Sequence, residues 1–315
     1  MTSRFEASAV DVLARPVSTV ETLGLLLVAM RPWEWVKNGF LFAALLFSNN
    51  FLNPSLAGRA LIAFVLYCLA AGGIYLINDV WDREEDRLHP QKRARPVTSG
   101  ALAVPVAVGA AALLLVAAVS GSFLLSAPFG AIAAGYVLLM IAYSRWLKHL
   151  VILDVFAIAV GFVLRVVAGA VVIDVRMSHW LLICTMLLAL FLGFSKRRHE
   201  LTALAGEASR HRRVLAEYSP LFLDMMIGVV TSATVVAYTL YTVSEETVRK
   251  VGTDGLLLTV PFVLYGIFRY LYLVYHRNHG GSPAQTLLTD LPLIVNVVLW
   301  GLASAAILAA AGGWR

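Results

Sequence analysis

The feature that most constrains this chain is a series of apolar stretches, each close to the ~20 residues that a helix needs to cross a bilayer. Hydrophobic residues make up 60% of the sequence and charged residues only 14%, whereas soluble domains are roughly 45–50% apolar. We therefore predict an all-α, polytopic membrane protein with nine transmembrane helices. The predicted spans, in chain order, are 36–53, 58–79, 102–120, 123–143, 151–173, 179–198, 220–243, 255–275 and 288–311.

The first 30 residues are predicted to form a tail, and 31–315 a single transmembrane domain that carries the activity. The stretch from Met1 to Thr22 mixes acidic and basic residues without an apolar core, so no cleavable signal peptide is expected. The two cysteines, Cys68 and Cys184, both fall inside apolar stretches, which excludes a disulfide framework and a CxxC metal site.

The distribution of basic residues predicts the orientation in the membrane. Of the 25 Lys and Arg residues, 18 lie in the N-terminal tail and the loops on its side of the membrane, and five lie on the opposite side. By the positive-inside rule, the N-terminus is cytoplasmic and the C-terminus is outside, in a multi-pass protein of the cell (inner) membrane. This asymmetry also explains the net charge of +6, so nucleic acid is not expected as a partner.

Three polar residues at the end of the second predicted span have a regular spacing. Asn78, Asp82 and Asp86 recur at every fourth position, so on a helix their side chains can point at one spot. A solvated helix end would explain scattered carboxylates, but not three oxygen-bearing side chains on one face. We therefore predict that these three residues bind Mg²⁺ together with a phosphorylated substrate, on the cytoplasmic side.

Basic residues on the same side of the membrane are candidates for phosphate contacts, although each could be only a topology signal or a helix-end ion pair. Lys196 and Glu200 lie four residues apart, so an ion pair between them is one interpretation, and a phosphate ligand with a hydroxyl contact is the other. For Arg165, inside a span, a structural pairing and a substrate contact are both open. The remaining candidates in these loops are Arg87, His89, Lys92, Arg93, Arg95, Tyr143 and Lys148.

The chain resembles the UbiA superfamily of intramembrane prenyltransferases in the Asn78, Asp82 and Asp86 pattern and in the predicted nine spans. The resemblance implies a helical bundle that is open to lipid and uses Mg²⁺ at aspartate-rich motifs on helices two and six. The chain departs from the second motif, because Lys196, Arg197 and Glu200 stand where further aspartates are expected.

In this departure the chain resembles the decaprenyl-phosphate phosphoribosyltransferase branch of the superfamily. The similarity includes the runs Trp35 to Asn38, Tyr75 to Asp79 and Asp86 to Pro96, together with Lys148 and Arg165. It implies transfer of 5-phosphoribose from phosphoribosyl diphosphate to a polyprenyl phosphate, which supplies arabinose donors for the cell envelope. The substrate contacts that it implies are Lys37, Asn38, Asp79, Arg87, His89, Lys92, Arg93, Tyr143, Lys148, Arg165, Lys196, Arg197 and Glu200.

Two alternatives remain at the level of sequence. A UbiA-type prenyltransferase that joins a prenyl diphosphate to an aromatic acceptor, such as 4-hydroxybenzoate, fits the first motif but leaves Lys196 and Arg197 unexplained. A transporter of phosphorylated solutes fits the charges within the membrane but not the clustered cytoplasmic acids. Isoprenoid length, homo-oligomerisation, and the roles of Asp154, Arg198 and His199 are left open.

Overall fold

The predicted all-α membrane bundle is confirmed by a computed structural model, which describes residues 18–47, 53–90, 92–203, 213–277 and 283–311. Every regular element among these residues is helical. The α-helices are α1 Thr19–Ala29, α2 Ala43–Phe47, α3 Pro54–Trp81, α4 Arg83–Leu88, α5 Pro96–Ser99, α6 Val104–Leu125, α7 Ala127–Arg145, α8 Leu153–Val172, α9 His179–Ala203, α10 Pro220–Val243, α11 Glu245–Val251, α12 Val260–His276, α13 Pro283–Thr289 and α14 Leu291–Ala310. Short 3-10 segments cover Pro32–Phe42, Lys92–Ala94, Leu147–His149, Arg213–Glu217 and Gly255–Thr259.

Eight helical segments in the described part of the chain are long and apolar enough to cross a membrane. Seven of them are α3, α6, α7, α8, α9, α10 and α14, and the eighth joins Gly255–Thr259 to α12. They correspond to the second through ninth predicted spans.

The first predicted span, 36–53, is irregular. Pro32–Phe42 is a 3-10 segment of 11 residues, α2 adds five residues, and 48–52 lie outside the described residues. The chain nevertheless runs the length of α3, because Arg31 pairs with Asp79 near one end and Asn53 caps the other. This segment is not among the eight membrane-length helices of the described residues, so the ninth crossing stays a prediction.

Helix starts follow capping chemistry that is readable in the sequence. Ser126, Ser219 and Asp290 each precede a proline in the first turn of a long helix, and each side chain accepts a hydrogen bond from a backbone N–H three residues later. Proline suits the first turn because its missing N–H would have no helical partner there. These caps fix the residues at which α7, α10 and α14 begin.

Successive helices pack as neighbours around two main apolar cores. One core joins α3, α6, α7 and α8 to the segment that precedes α3, and the other joins α8 to α9, α10, α12 and α14. At Gly169 of α8, an added Cβ would lie 2.0 Å from the carbonyl oxygen of Leu41. Only glycine allows the 3-10 segment to approach α8 this closely.

The predicted N-terminal tail is described only from residue 18. Ser18 caps α1 in a capping box with Glu21, and Ala29 and Met30 are buried in an apolar cluster with Leu76 and Val97. Residues just before position 31 thus pack on the bundle near the end of α3. The division at residue 30 remains a prediction.

Candidate active site

The acidic residues at the end of α3 form a continuous row. Asp82 closes α3, and α4 begins at the next residue. The Asp82 N–H donates to the carbonyl of Asn78 at 2.9 Å, and the Asp86 N–H donates to the carbonyl of Asp82 at 2.8 Å. The helical spacing predicted for Asn78, Asp82 and Asp86 is therefore maintained across the junction between the two helices.

The carboxylates of Asp79, Asp82 and Asp86, which we call the acidic cluster, are each paired with basic side chains. Asp79 and Asp86 are buried, and a buried carboxylate is stable only when charges or hydrogen bonds compensate for lost water. The pairs are Arg31 with Asp79, Arg95 with Asp79 at 3.1 Å and Asp86 at 2.5 Å, Lys92 with Asp86 at 3.2 Å, and Lys148 with Asp82.

The candidates in the loop after α3 divide into two groups. Lys92 and Arg95 turn back to the acidic cluster. Arg87 and Arg93 are exposed, and Arg87 pairs with Glu84 at 2.9 Å. His89 lies beside them and its Nδ1 accepts from the Lys92 N–H at 3.4 Å. The structure thus brings two of these cations to the acids and leaves Arg87 and Arg93 at the surface.

Lys196 and Glu200 lie near the end of α9 in the arrangement that their spacing predicts. The Lys196 Nζ lies 3.8 Å from the Glu200 carboxylate, and the lysine side chain is 37% exposed. Lys196 also lies within electrostatic range of Glu34, which pairs with Lys37 on the 3-10 segment Pro32–Phe42. We call these four side chains the lysine pocket.

The charge of Glu34 reflects its neighbours. Burial alone would raise the pKa of this carboxyl, but the ion pair with Lys37 and the positive charges of Lys196 and Arg31 together hold the pKa below its ordinary value. Glu34 is therefore ionised at neutral pH. The Arg31 guanidinium lies 4.7 Å from the centroid of the Tyr75 ring, one helical turn before Asp79. Arg31 lies within electrostatic range of Glu34 and pairs with Asp79, so the lysine pocket and the acidic cluster are adjacent.

Arg197 lies in the protein interior rather than at a ligand surface. Its Nε donates to Asp154 at 2.6 Å, its Nη1 donates to Glu200 at 2.5 Å, and its Nη2 donates to the Tyr143 hydroxyl at 3.4 Å. The side chains of Arg197 and Asp154 are 2% and 0% exposed. These contacts make Arg197 and Tyr143 structural partners in the absence of substrate, and the phosphate contact expected of Arg197 stays a prediction.

Arg165 and Asn38 are also buried and hydrogen-bonded to each other. The Arg165 Nε donates to the Asn38 side-chain oxygen at 2.8 Å, and its Nη2 donates to the Tyr136 hydroxyl at 2.7 Å. The Asn38 amide in turn lies 3.3 Å from the sulfur of Cys68. The structure thus shows a structural pairing for Arg165 and Asn38, and their contact with substrate stays a prediction.

The donor set at the acidic cluster fits a magnesium ion that arrives with phosphate. Within the described ranges, no group of three or more His, Cys, Asp or Glu side chains is arranged to hold a metal by itself. Mg²⁺ commonly binds one or two carboxylates and completes its octahedron with water and substrate phosphates. Asp82, at 19% exposed, and its neighbour Asp86 can supply two such ligands. Asp79 Oδ2 is buried without a hydrogen-bond partner in the described part of the chain.

Three contributors to this region were not identified from the sequence. Arg31 reaches Asp79 from 48 positions away, and its backbone has φ 53, which is uncommon outside glycine. The sequence leaves the role of Asp154 open, and no sequence pattern points to Tyr218, whose hydroxyl donates to the Asp154 carboxylate at 2.7 Å. Long-range pairing of this kind leaves no periodic pattern in a single sequence.

Comparison with known proteins places the chain in a family. The profile of the UbiA prenyltransferase family matches residues 39–296. A decaprenyl-phosphate phosphoribosyltransferase from Mycolicibacterium smegmatis is 32% identical over 286 residues, which cover 87% of this chain and 89% of that protein. A protein of the same name from Mycobacterium tuberculosis is 28% identical and covers 92% of this chain and 95% of its own length.

The fold is shared with solved structures at low sequence identity. A UbiA homolog from Archaeoglobus fulgidus, solved bound to GPP and Mg²⁺, superimposes with a TM-score of 0.68 at 18% identity, covering 90% of this chain and 99% of that one. Three findings point to the same family: the shared helical bundle, the family profile over most of the chain, and the similarity to the transferases above. The chain is a multi-pass membrane enzyme that belongs to the UbiA prenyltransferase family.

Proposed function

We propose that this enzyme transfers 5-phosphoribose from phosphoribosyl diphosphate to a polyprenyl phosphate, with decaprenyl phosphate as the expected acceptor, in a reaction that depends on Mg²⁺. The observation that carries the proposal is the similarity, over 87% of the chain, to a protein named for that reaction. The products are diphosphate and a polyprenyl-phosphoryl 5-phosphoribose. The lipid-linked product serves arabinose-donor synthesis for the cell envelope.

The two charged regions of the site match the two ends of this donor. Phosphoribosyl diphosphate carries a diphosphate at C1 and a single phosphate at C5. We assign the diphosphate to the acidic cluster, where Asn78, Asp82 and Asp86 would hold Mg²⁺. We assign the 5-phosphate to the lysine pocket, where Lys196 and Lys37 supply compact positive charges on two separate elements.

The cations that pair with the acids have a second use in this assignment. Asp82 and Asp86 would hold the metal, which would supply the positive charge that neutralises the leaving diphosphate, and the basic side chains now paired with these carboxylates would then be available to phosphate. Lys148, Lys92 and Arg95 can then donate to phosphate oxygens, for which charge-assisted hydrogen bonds are strong.

The bond changes are simple. The bond from C1 to the diphosphate oxygen breaks through an oxocarbenium-like state, and an oxygen of the lipid phosphate forms the new bond to C1 from the opposite face. This inverts the anomeric centre. The lipid phosphate is anionic at neutral pH, so no strong general base is needed. We assign the acceptor headgroup to exposed Arg87 and Arg93, with His89 beside them, while the isoprenoid tail stays in the membrane.

A direct assay tests the reaction. Purified protein is incubated with labelled phosphoribosyl diphosphate, MgCl₂ and polyprenyl phosphate, and we expect label in the lipid fraction and its loss on addition of EDTA. Transfer from a prenyl diphosphate to 4-hydroxybenzoate under the same conditions, without transfer of ribose, would contradict the proposal.

Lys196 provides a test of donor recognition. If it contacts the 5-phosphate, the loss of one charge-assisted hydrogen bond should weaken donor binding by roughly 1.5–3 kcal/mol, or about 10- to 150-fold. Lys196→Ala should therefore raise KM for phosphoribosyl diphosphate and leave KM for the polyprenyl phosphate nearly unchanged. Lys250→Ala, at an exposed position on α11, is the matched control.

A truncated donor shows whether the effect is local. An analogue without the 5-phosphate should bind the wild type poorly and should be almost indifferent to Lys196→Ala, because the partner of the lysine is already missing. An equal loss of affinity for the truncated and intact donors would show that Lys196 only supports the helix end. The 5-phosphate site would then have to lie elsewhere, first at Lys37 or Lys148.

The proposal places the site on the cytoplasmic face of the cell membrane, as the distribution of Lys and Arg predicts. Cysteine substitutions of exposed residues test this orientation. Glu85→Cys on α4 should react with an impermeant thiol reagent only from the cytoplasm, and Glu245→Cys, whose parent side chain is 95% exposed, only from outside. Native Cys68 and Cys184 lie within membrane-spanning helices and should give little background. Labelling of both new cysteines from one side would contradict the nine-crossing arrangement.

A further inference from the structure

The connection between α7 and α8 contains an unusual turn at Ile152. This residue has φ 69 and ψ −49, and the Leu153 N–H donates to the carbonyl of Val151 at 2.8 Å. These values describe a γ-turn with positive φ at its central residue, a conformation that is rare and strained. For a β-branched side chain the conformation is a genuine outlier, so something in the surrounding structure must hold it.

The hydroxyl of Tyr218 holds this turn. It accepts a hydrogen bond from the Ile152 N–H at 2.7 Å and donates one to the Asp154 carboxylate at 2.7 Å. The other oxygen of Asp154 accepts from the Nε of Arg197 at 2.6 Å, and all three side chains of this chain of contacts are buried. The hydrogen bonds therefore connect the strained turn to a fixed ion pair between α8 and α9.

The tyrosine is suited to this double role. Burial raises the pKa of the Tyr218 hydroxyl, and its hydrogen bond to Asp154 raises the pKa further. The group therefore stays protonated at physiological pH, when it can donate to a carboxylate and accept from a backbone N–H at once.

The turn lies four residues after Lys148. That lysine belongs to the 3-10 segment Leu147–His149, is 9% exposed, and pairs with Asp82 of the acidic cluster. Two backbone hydrogen bonds hold the intervening residues. The Leu150 N–H donates to the Leu147 carbonyl at 3.1 Å, and the Asp154 N–H donates to the Leu150 carbonyl at 3.0 Å. The path of the chain from Ile152 to Lys148 is thus set by hydrogen bonds.

We infer that Tyr218 is a positioning residue for Lys148, because its hydroxyl holds the Ile152 turn and this turn presents the lysine to Asp82. The link between Tyr218 and Lys148 rests on geometry alone. Its consequence for catalysis rests on the proposed function, in which Lys148 and Asp82 belong to the donor site.

Tyr218→Phe tests the link because it removes the hydroxyl and keeps the ring. The full-length protein is treated with a water-soluble amine-acylating reagent, and modification of Lys148 is followed by mass spectrometry. We expect Lys148 to react about tenfold faster in Tyr218→Phe, because a factor of this size corresponds to the loss of one hydrogen bond to a charged group. Tyr238→Phe is the matched control, because its hydroxyl also has two partners, Thr259 and Trp300. The control should leave Lys148 at its wild-type rate.

A second substitution distinguishes the turn from general destabilisation. Glycine adopts positive φ at little cost, so Ile152→Gly should keep the turn without help from Tyr218. Adding Ile152→Gly to Tyr218→Phe should return the rate at Lys148 at least halfway to the wild-type value. Unchanged reactivity in Tyr218→Phe, or failure of Ile152→Gly to restore protection, would overturn the inference.

One further outcome separates this inference from the proposed function. Exposure of Lys148 in Tyr218→Phe with full phosphoribosyl transfer would support the positioning role and contradict the assignment of Lys148 to the donor site.

Amide hydrogen exchange over 146–153 in the wild type gives a test that needs no variant. Exchange there should be as slow as in the first turns of α8, and rapid exchange would overturn the inference.

Discussion

Asp82→Asn is expected to lower turnover by at least ~10²-fold, comparable to the loss of a preorganised electrostatic group in other enzymes. The substitution keeps the size of the side chain but removes charge from an oxygen ligand that Mg²⁺ prefers. It also leaves the Lys148 side chain, 11% exposed, without its carboxylate. Both effects act on the diphosphate, so the loss should appear in kcat as well as in the Mg²⁺ concentration that gives half-maximal rate.

Glu85→Gln is the matched control for this substitution. Glu85 lies three residues away on α4 and is exposed, and it has no assigned contact with the acidic cluster. Steady-state rates over a Mg²⁺ titration should therefore be near the wild-type values for Glu85→Gln and strongly reduced for Asp82→Asn. Near-normal rates for Asp82→Asn at every Mg²⁺ concentration would remove Asp82 from the proposed metal site.

The parts of this fold that repeat locally could be predicted from the sequence. Eight spans follow from runs of about 20 apolar residues. The helical spacing of Asn78, Asp82 and Asp86 follows from their four-residue period. Hydropathy alone, however, does not distinguish a 3-10 segment from an α-helix, so the sequence predicts an ordinary span at 36–53, where the structure has part of the 3-10 segment Pro32–Phe42.

The pairing of charges could not be predicted, because it depends on which helices meet. The Lys196 and Glu200 pair is local and was anticipated, whereas Lys148 and Asp82 are 66 positions apart. Lys196 and Arg197 are sequence neighbours, yet a rotation of about 100° per residue separates them on the helix. One therefore faces the lysine pocket and the other faces Asp154. Spacing alone treats both as phosphate ligands, and only the packing of α8 against α9 separates them.

This difference between neighbours leads to the second large expected effect, which is on folding. Arg197→Leu removes one member of an ion pair whose side chains are 2% and 0% exposed. Breaking a buried pair in this way costs about 3–5 kcal/mol, because the remaining Asp154 charge stays buried without its cationic partner. We expect a marked fall in thermal stability in detergent and in the yield of folded protein. Donor KM in the protein that does fold should change far less than in Lys196→Ala.

Arg198→Leu is the matched control, one position further along α9. Arg198 pairs with Asp224 at 2.7 Å, but the two side chains are 18% and 36% exposed, and partly solvated pairs contribute only about 0–1 kcal/mol. Its thermal stability should therefore stay near that of the wild type. Adding Asp154→Leu to Arg197→Leu should recover part of the lost stability, because neither charge then remains buried alone. If Arg197→Leu were as stable as Arg198→Leu but raised donor KM as much as Lys196→Ala, Arg197 would have to contact the ligand, and the buried ion pair would not be its main role.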